Sequence, residues 1–100
     1  MVQQVVTITP NTPTSVEAVM THVADLLPDS VIEHMNQSLT DGTRTTTVTT
    51  SGDSVIVTTD WNDSAAATYV SLMASVSAGV KAALDSDGWT YNFSPETADL

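Results

Sequence analysis

The chain has 100 residues, of which 41% are apolar and only 14% charged, so it has the size and the apolar content of one folded domain. Twelve acidic residues stand against only Arg44 and Lys81, which gives a formal net charge of −10. Two cations cannot neutralise a phosphate backbone or an anionic lipid surface, so neither nucleic acid nor a membrane is an expected partner.

The remaining composition points to a protein of the cytoplasm. There is no cysteine, which excludes disulfides and thiolate chemistry. The first residues lack the basic and apolar segments of a signal peptide, and no apolar run reaches the roughly 18 residues of a membrane span. The acidic excess suits a salty medium that screens self-repulsion, which favours a marine microbe or its virus as the source.

The first third of the chain predicts a strand and then a helix. The β-branched run Val2–Thr9 is typical of a strand. Thr14 and Glu17 have the spacing of a capping box, and apolar residues at helical spacing follow as far as Leu27. Pro28 then ends the predicted helix, because proline has no amide proton to donate.

Residues 30–39 fit two patterns. A cap-like spacing and an apolar helical face predict a short helix that Gly42 ends. Val31, Met35 and Leu39, however, also share one face of a strand. We favour the helix, because a third consecutive strand would start the next long helix at the wrong end of the sheet.

Two runs rich in Thr and Val, 44–50 and 55–59, flank a Ser-Gly-Asp turn and predict a hairpin. Val55 and Val57 point to one face of the second strand, and Ile56 points to the other. Apolar groups on both faces predict a sheet that is covered on both sides.

The last third predicts a long helix and an aromatic strand. The helix begins at a cap within residues 62–64 and reaches about Leu84. Trp89, Tyr91 and Phe93 then alternate with polar residues, as in a strand. Residues 1–94 are therefore predicted to form one domain and residues 95–100 a loose tail.

The predicted element order is β-α-β-β-α-β, which is that of a ferredoxin-like α+β fold with a four-stranded antiparallel sheet and two helices on one face. The segment from Asp41 to Tyr69 contains Trp61 at a strand end, Ser64 at a helix start and an aromatic residue within that helix. In these features it resembles the antibiotic-biosynthesis-monooxygenase branch of the dimeric α+β barrels. The resemblance implies a homodimer with sheets packed face to face, and a small organic molecule held between sheet and helices. Some members of this group oxidise aromatic substrates without metal or flavin, and others degrade haem or isomerise lactones.

Four residues are candidates for binding a small apolar or aromatic ligand: Trp61, Tyr69, His34 and Arg44. Arg44 suits a bidentate contact to a substrate carboxylate, and it suits equally an ion pair with an acid on a neighbouring strand. The aromatic residues suit a ligand pocket or ordinary core packing. His22 and His34 have no metal-type spacing, so we expect neither a metal nor a cofactor.

Two hypotheses for function follow. The first is a domain without catalytic chemistry that assembles through its sheet as a homodimer. The second is a cofactor-independent, monooxygenase-like enzyme or a binder of small aromatic molecules, with the four candidate residues at its site. The second predicts an enclosed cavity of roughly 300 Å³ or more beside Trp61.

Overall fold

The computed structural model describes all 100 residues as four strands and four helices, with a short 3₁₀ turn at the end. In chain order the elements are β1 (Val2–Thr9), α1 (Val16–Asp25), α2 (Asp29–Asp41), β2 (Arg44–Ser51), β3 (Ser54–Trp61), α3 (Asp63–Met73), α4 (Ser77–Ser86), β4 (Thr90–Ser94) and the 3₁₀ turn (Thr97–Asp99). The predicted α+β class and the helix at residues 30–39 are both observed.

The four strands form one open antiparallel sheet in the order β2-β3-β1-β4. The predicted hairpin joins β2 to β3, and Gly52 in its loop has a φ of 60°, a conformation that glycine adopts without strain. β1 lies inside the sheet, where its alternating Val and Ile side chains contribute to the middle of the core. The strand richest in threonine, β2, lies at the rim.

All four helices pack on one face of the sheet, which we call the covered face. Its side chains follow from the strand register, since cross-strand partners share a face. They are Val2, Gln4, Val6, Ile8, Arg44, Thr46, Val48, Thr50, Val55, Val57, Thr59, Trp61, Tyr91 and Phe93. Ile8 and Val55 are buried here against Val19 of α1. Burial of each of these aliphatic side chains stabilises the fold by roughly 1.5–3 kcal/mol.

No element of the chain covers the opposite face, which we call the open face. Its side chains are Gln3, Val5, Thr7, Thr9, Thr45, Thr47, Thr49, Ser51, Ser54, Ile56, Thr58, Asp60, Thr90, Asn92 and Ser94. Only Val5 and Ile56 among them are aliphatic. The prediction of a sheet covered on both sides is therefore wrong within one chain, because hydroxyl side chains keep most of this face compatible with water.

The helices differ from the prediction in bounds and in number: four of them, not two, lie on the covered face, because the predicted long helix over 62–84 is two helices and the short helix at 30–39 joins the first. The first ends at Asp25, and its N-cap is Ser15 rather than Thr14, with Ser15 Oγ accepting from the amide of Ala18 at 3.2 Å. The predicted helix over 62–84 is interrupted between α3 and α4, which meet at a bend of 65°. A straight helix of that length would extend roughly 34 Å, whereas strands of eight residues span about 27 Å. The bend therefore keeps the apolar residues of α4 over the sheet.

Residues 95–100 do not extend away from the domain. Thr97 is buried, with 8% of its surface exposed, and its hydroxyl accepts a hydrogen bond from Gln4 Nε2 at 3.1 Å. Gln4 Nε2 also donates to the carbonyl oxygen of Pro95 at 3.0 Å. The sequence predicted a loose tail, but a buried glutamine on β1 needs these partners.

None of the helices alone is long and apolar enough to cross a membrane. The helices α3 and α4 reach that length and composition only when taken together across their bend.

Candidate functional site

The four candidate residues lie together at one end of the sheet, in what we call the Trp61 cluster: Trp61, Arg44, His34 and Tyr69. Trp61 ends β3 and is 1% exposed. Its ring stacks with Tyr69 at a centroid distance of 4.7 Å and with His34 at 5.5 Å. The strand register places Arg44 directly opposite Trp61, and the Arg44 Cζ atom lies 5.5 Å from the centroid of the indole ring.

The local sequence explains why these side chains meet. Asn62 directly follows the strand and caps α3, accepting from the amide of Ala65 at 2.7 Å. This cap starts α3 beside Trp61, so that Tyr69 lies less than two turns along the helix. Gly42 ends α2 with a φ of 75°, and the chain then enters β2 at once. The tight connection brings the α2 side chain of His34 above the start of β2.

Arg44 is a buried cation without an acidic partner. It is 6% exposed, and its Nε and Nη2 atoms donate to the carbonyl oxygen of Met35 at 3.1 and 2.9 Å. The ion pairs of the chain involve other residues, so the predicted pairing with an acid on a neighbouring strand is not observed. Burial lowers the pKa of Arg44 from its usual value, and the nearby Tyr69 opposes that shift. The cation is held by a carbonyl dipole and an aromatic face.

Tyr69 lies near two polar side chains that affect its ionisation, Thr97 and Arg44. Burial raises the pKa of its phenol above 10.0, while a hydrogen bond with Thr97 and the charge of Arg44 act in the opposite direction. Thr97 in turn accepts from Gln4. The hydrogen bonds of Gln4 thereby link β1 to the C-terminal residues near Tyr69.

The two histidines have separate structural contacts. His34 Nε2 donates to the carbonyl oxygen of Ala65 at 2.9 Å, which links α2 to α3. His22 lies at the other end of the sheet, where its Nε2 is 2.7 Å from Asp87 Oδ2 and its ring lies 4.5 Å from that of Trp89. No group of three or more His, Asp or Glu side chains converges anywhere in the chain.

A narrow apolar cavity of about 110 Å³ lies between the sheet and the helices beside the Trp61 cluster. Its lining consists of Gln4, Val6, Ile8, Met20, Val23, Leu27, Met35, Val57, Thr59, Trp61, Tyr69, Met73, Val80 and Phe93. The volume falls short of the roughly 300 Å³ expected for a small-ligand site. A hollow of about 610 Å³ touches His34, but polar side chains of α2 alone line it, so it is a surface groove.

Trp61 also carries the one fully buried polar side-chain atom that has no hydrogen-bond partner, its indole Nε1. A buried donor without an acceptor costs about 1–3 kcal/mol. Trp61 and Tyr69 both line the cavity, whereas Arg44 and His34 do not. The four candidate residues therefore form one cluster, of which two members reach the cavity.

Sequence reasoning did not single out Gln4, Met35 or Thr97. For Gln4 a signal exists, since it is a polar residue on the same strand face as Val2, Val6 and Ile8 and therefore needs a buried partner. For Met35 and Thr97 there is none, because a backbone carbonyl and a tail hydroxyl become partners only through the tertiary fold.

The raised pKa of Tyr69 predicts a loss of stability at alkaline pH. Above pH 10 the unfolded phenol ionises while the folded one stays protonated, so the unfolded state binds fewer protons and the free energy of unfolding falls as pH rises. We expect the Tyr69→Phe variant to show a shallower fall between pH 9 and 11 in urea titrations. Phe93→Leu is the control, because it changes a half-buried aromatic ring that has no ionisable group; Tyr91 does not serve, since its pKa is raised as well. Equal slopes for Tyr69→Phe and the unmodified protein would contradict this prediction.

A scan against models of protein families finds no match for this chain, and searches of curated proteins and of solved structures find none either.

Proposed function

We propose that this protein is a ferredoxin-like domain that forms a homodimer through its sheet and carries no catalytic chemistry. The fold assignment is supported by the connections between strands. β1 and β2 run parallel with β3 between them, and β3 and β4 run parallel with β1 between them. Helices join the members of each parallel pair, which is the split β-α-β arrangement.

One observation above all supports self-association. The open face of the sheet is nearly free of charge, although the chain has a net charge of −10. Asp60 is the single charged residue of the open face. Depletion of charge is the compositional mark of the centre of a protein–protein interface. Two copies can therefore approach through the sheet without bringing their carboxylates together.

The family resemblance implies a face-to-face dimer, the dimeric α+β barrel. Val5 and Ile56 support it, because they lie on the two central strands and are ringed by threonine. Three strands about 27 Å long and a fourth about 17 Å long, spaced about 4.8 Å apart, offer slightly less than about 500 Å² per copy. The total of about 1,000 Å² is at the lower limit of a specific interface, so the expected affinity is modest.

Salt is expected to strengthen the dimer. Each copy carries ten net negative charges, and their mutual repulsion is screened as the Debye length falls from about 14 Å at 0.05 M salt to about 4 Å at 0.5 M. We expect sedimentation equilibrium between 1 and 100 μM protein to give a dimer whose Kd falls roughly tenfold or more over this range of salt. A monomer at 100 μM in 0.5 M salt would end the proposal.

A second candidate function is binding of a small neutral molecule in the apolar cavity. No charged side chain lines the cavity, and Trp61 supplies a buried N–H that lacks an acceptor. Three of the four methionines, Met20, Met35 and Met73, line it, and flexible methionine side chains can repack around a guest. A dry apolar cavity of comparable size, about 150 Å³, is known to take up benzene. The fitting ligand is compact, apolar and uncharged, with one hydrogen-bond acceptor.

Methionine methyl NMR tests this second candidate with cyclohexanone as the probe. We expect the three lining methyl groups to shift on titration while Met1, which is 81% exposed, stays unchanged. Cyclohexanecarboxylate is the negative control, because its charge would be desolvated without a partner. Val57→Ile, which fills the cavity, should weaken binding, whereas Val5→Ile on the open face should not. Shifts of equal size at all four methionines would exclude a specific site.

A further inference from the structure

β2 forms one exposed edge of the sheet, and this edge has none of the features that usually prevent it from pairing with a strand of another molecule. β2 is eight residues long, and every residue from Thr45 to Ser51 is exposed. It pairs with β3 residue by residue from Arg44 to Ser51, so no bulge interrupts it. It contains no proline and no lysine, which are the common means of blocking an edge. The other edge strand, β4, has only five residues and is followed by Pro95.

The strand is also symmetric in sequence about Val48. The residues before it are Thr47, Thr46 and Thr45, and those after it are Thr49, Thr50 and Ser51. If two copies pair antiparallel with Val48 opposite the partner's Val48, every threonine in this stretch meets a threonine or a serine. Cross-strand Thr–Thr and Thr–Ser pairs are favourable in antiparallel sheets.

Val48 gives this pairing an apolar centre. Its side chain is on the covered face of the sheet, but the helices do not bury it fully, and it is 40% exposed. It is one of three large apolar side chains exposed to this degree, with Met1 and Leu39. At a two-fold axis the two valines would contact each other and remove both from water.

The charges around the strand allow a close approach. The nearest acids in sequence, Asp41 and Asp53, lie outside the strand, and no acid lies between them. Arg44, at the end of the strand, is held against Trp61 and Met35 in its own subunit. In the symmetric register no carboxylate faces another, although each copy carries a net charge of −10.

We propose that the homodimer forms through antiparallel pairing of β2 with β2 of a second copy, centred on Val48, which joins the two sheets into one of eight strands. This inference rests on the proposed self-association and replaces the face-to-face contact by an edge-to-edge one. The outward N–H and C=O groups of β2, about half of those in the strand, then bond to the partner strand instead of to water. The open faces of both copies stay free.

The test uses opposite charges at the centre of the pairing. Val48→Lys and Val48→Glu each place two like charges at the two-fold axis, so each alone should raise the dimer Kd roughly tenfold or more. An equimolar mixture should restore the dimer, because lysine then faces glutamate. Since Val48 lies on an edge strand with 40% of its surface exposed, both variants are expected to keep the circular dichroism spectrum of the unmodified protein. Hydrogen exchange offers a second measurement, in which amides of residues 45–51 become protected as protein concentration rises.

The matched pair Val5→Lys and Val5→Glu makes the same changes at the centre of the open face. Retention of the dimer by these variants, with rescue only in the Val48 mixture, is the expected result. Rescue in the Val5 mixture alone, or a dimer that neither Val48 variant weakens, would overturn the edge pairing and leave the proposed homodimer standing. A monomeric unmodified protein at 100 μM in 0.5 M salt would overturn both.

Discussion

Replacing Trp61 with alanine is expected to lower the free energy of unfolding by about 3–5 kcal/mol, a large part of the stability of a 100-residue domain. Trp61 is 1% exposed and contacts α2 and α3 as well as its own strand. The substitution removes both aromatic stacks and the surface on which the Arg44 guanidinium lies. The cavity beside it would enlarge, which adds to the cost.

Urea denaturation followed by circular dichroism measures this effect without relying on tryptophan fluorescence. Trp89→Ala is the matched control, because Trp89 is only half-buried and packs at the margin of the other core cluster. Its loss should be clearly smaller. An equal loss for the two variants would show that Trp61 does not organise its end of the sheet. Trp61→Phe should recover part of the stability, since it keeps an aromatic face for His34, Tyr69 and Arg44.

Replacing Arg44 with alanine is expected to cost about 2–4 kcal/mol, the second large effect. The carbonyl oxygen of Met35 would lose two donors of a charged group and keep only the neutral hydroxyl of Ser38 among its side-chain donors, and hydrogen bonds to charged groups are the stronger ones. The Arg44 guanidinium also lies over the Trp61 ring, and a cavity would remain in its place. Thermal and urea denaturation of the variant measure the loss.

Arg44→Met separates packing from charge. Methionine retains much of the volume but neither the charge nor the hydrogen bonds. No acid pairs with Arg44, so removing the cation leaves no carboxylate without its partner. We therefore expect the methionine variant to recover roughly half of the stability that the alanine variant loses. A methionine variant as unstable as the alanine one would show that the two hydrogen bonds to Met35 outweigh packing at this position. Arg44→Lys should remain destabilised, because an ammonium group lacks the fork that reaches one oxygen through two nitrogens.

The Trp61 cluster shows how scarce residue types in a sequence can indicate which side chains come together. Aromatic and cationic residues are few in this chain, so Trp61, Tyr69 and Arg44 are conspicuous, and the element order puts them at neighbouring strand and helix ends. The hydrogen-bonded pair Gln4 and Thr97 has no such signal in the sequence, since the two residues lie 93 positions apart and meet only through the fold. The role of the cluster in ligand binding stays a prediction.

The sequence by itself determined the class and order of the elements, because these depend on local patterns. Alternating β-branched residues, the cap at Asn62, the stop at Gly42 and the Gly52 turn each act within a few residues. The tertiary structure alone decided three further features: the bend between α3 and α4, the burial of Arg44 without an acid, and the open face with its bare β2 edge. Each of these features depends on the area of sheet that the helices must cover or on which groups, distant in sequence, lie next to each other. Neither can be deduced from a short segment of the sequence.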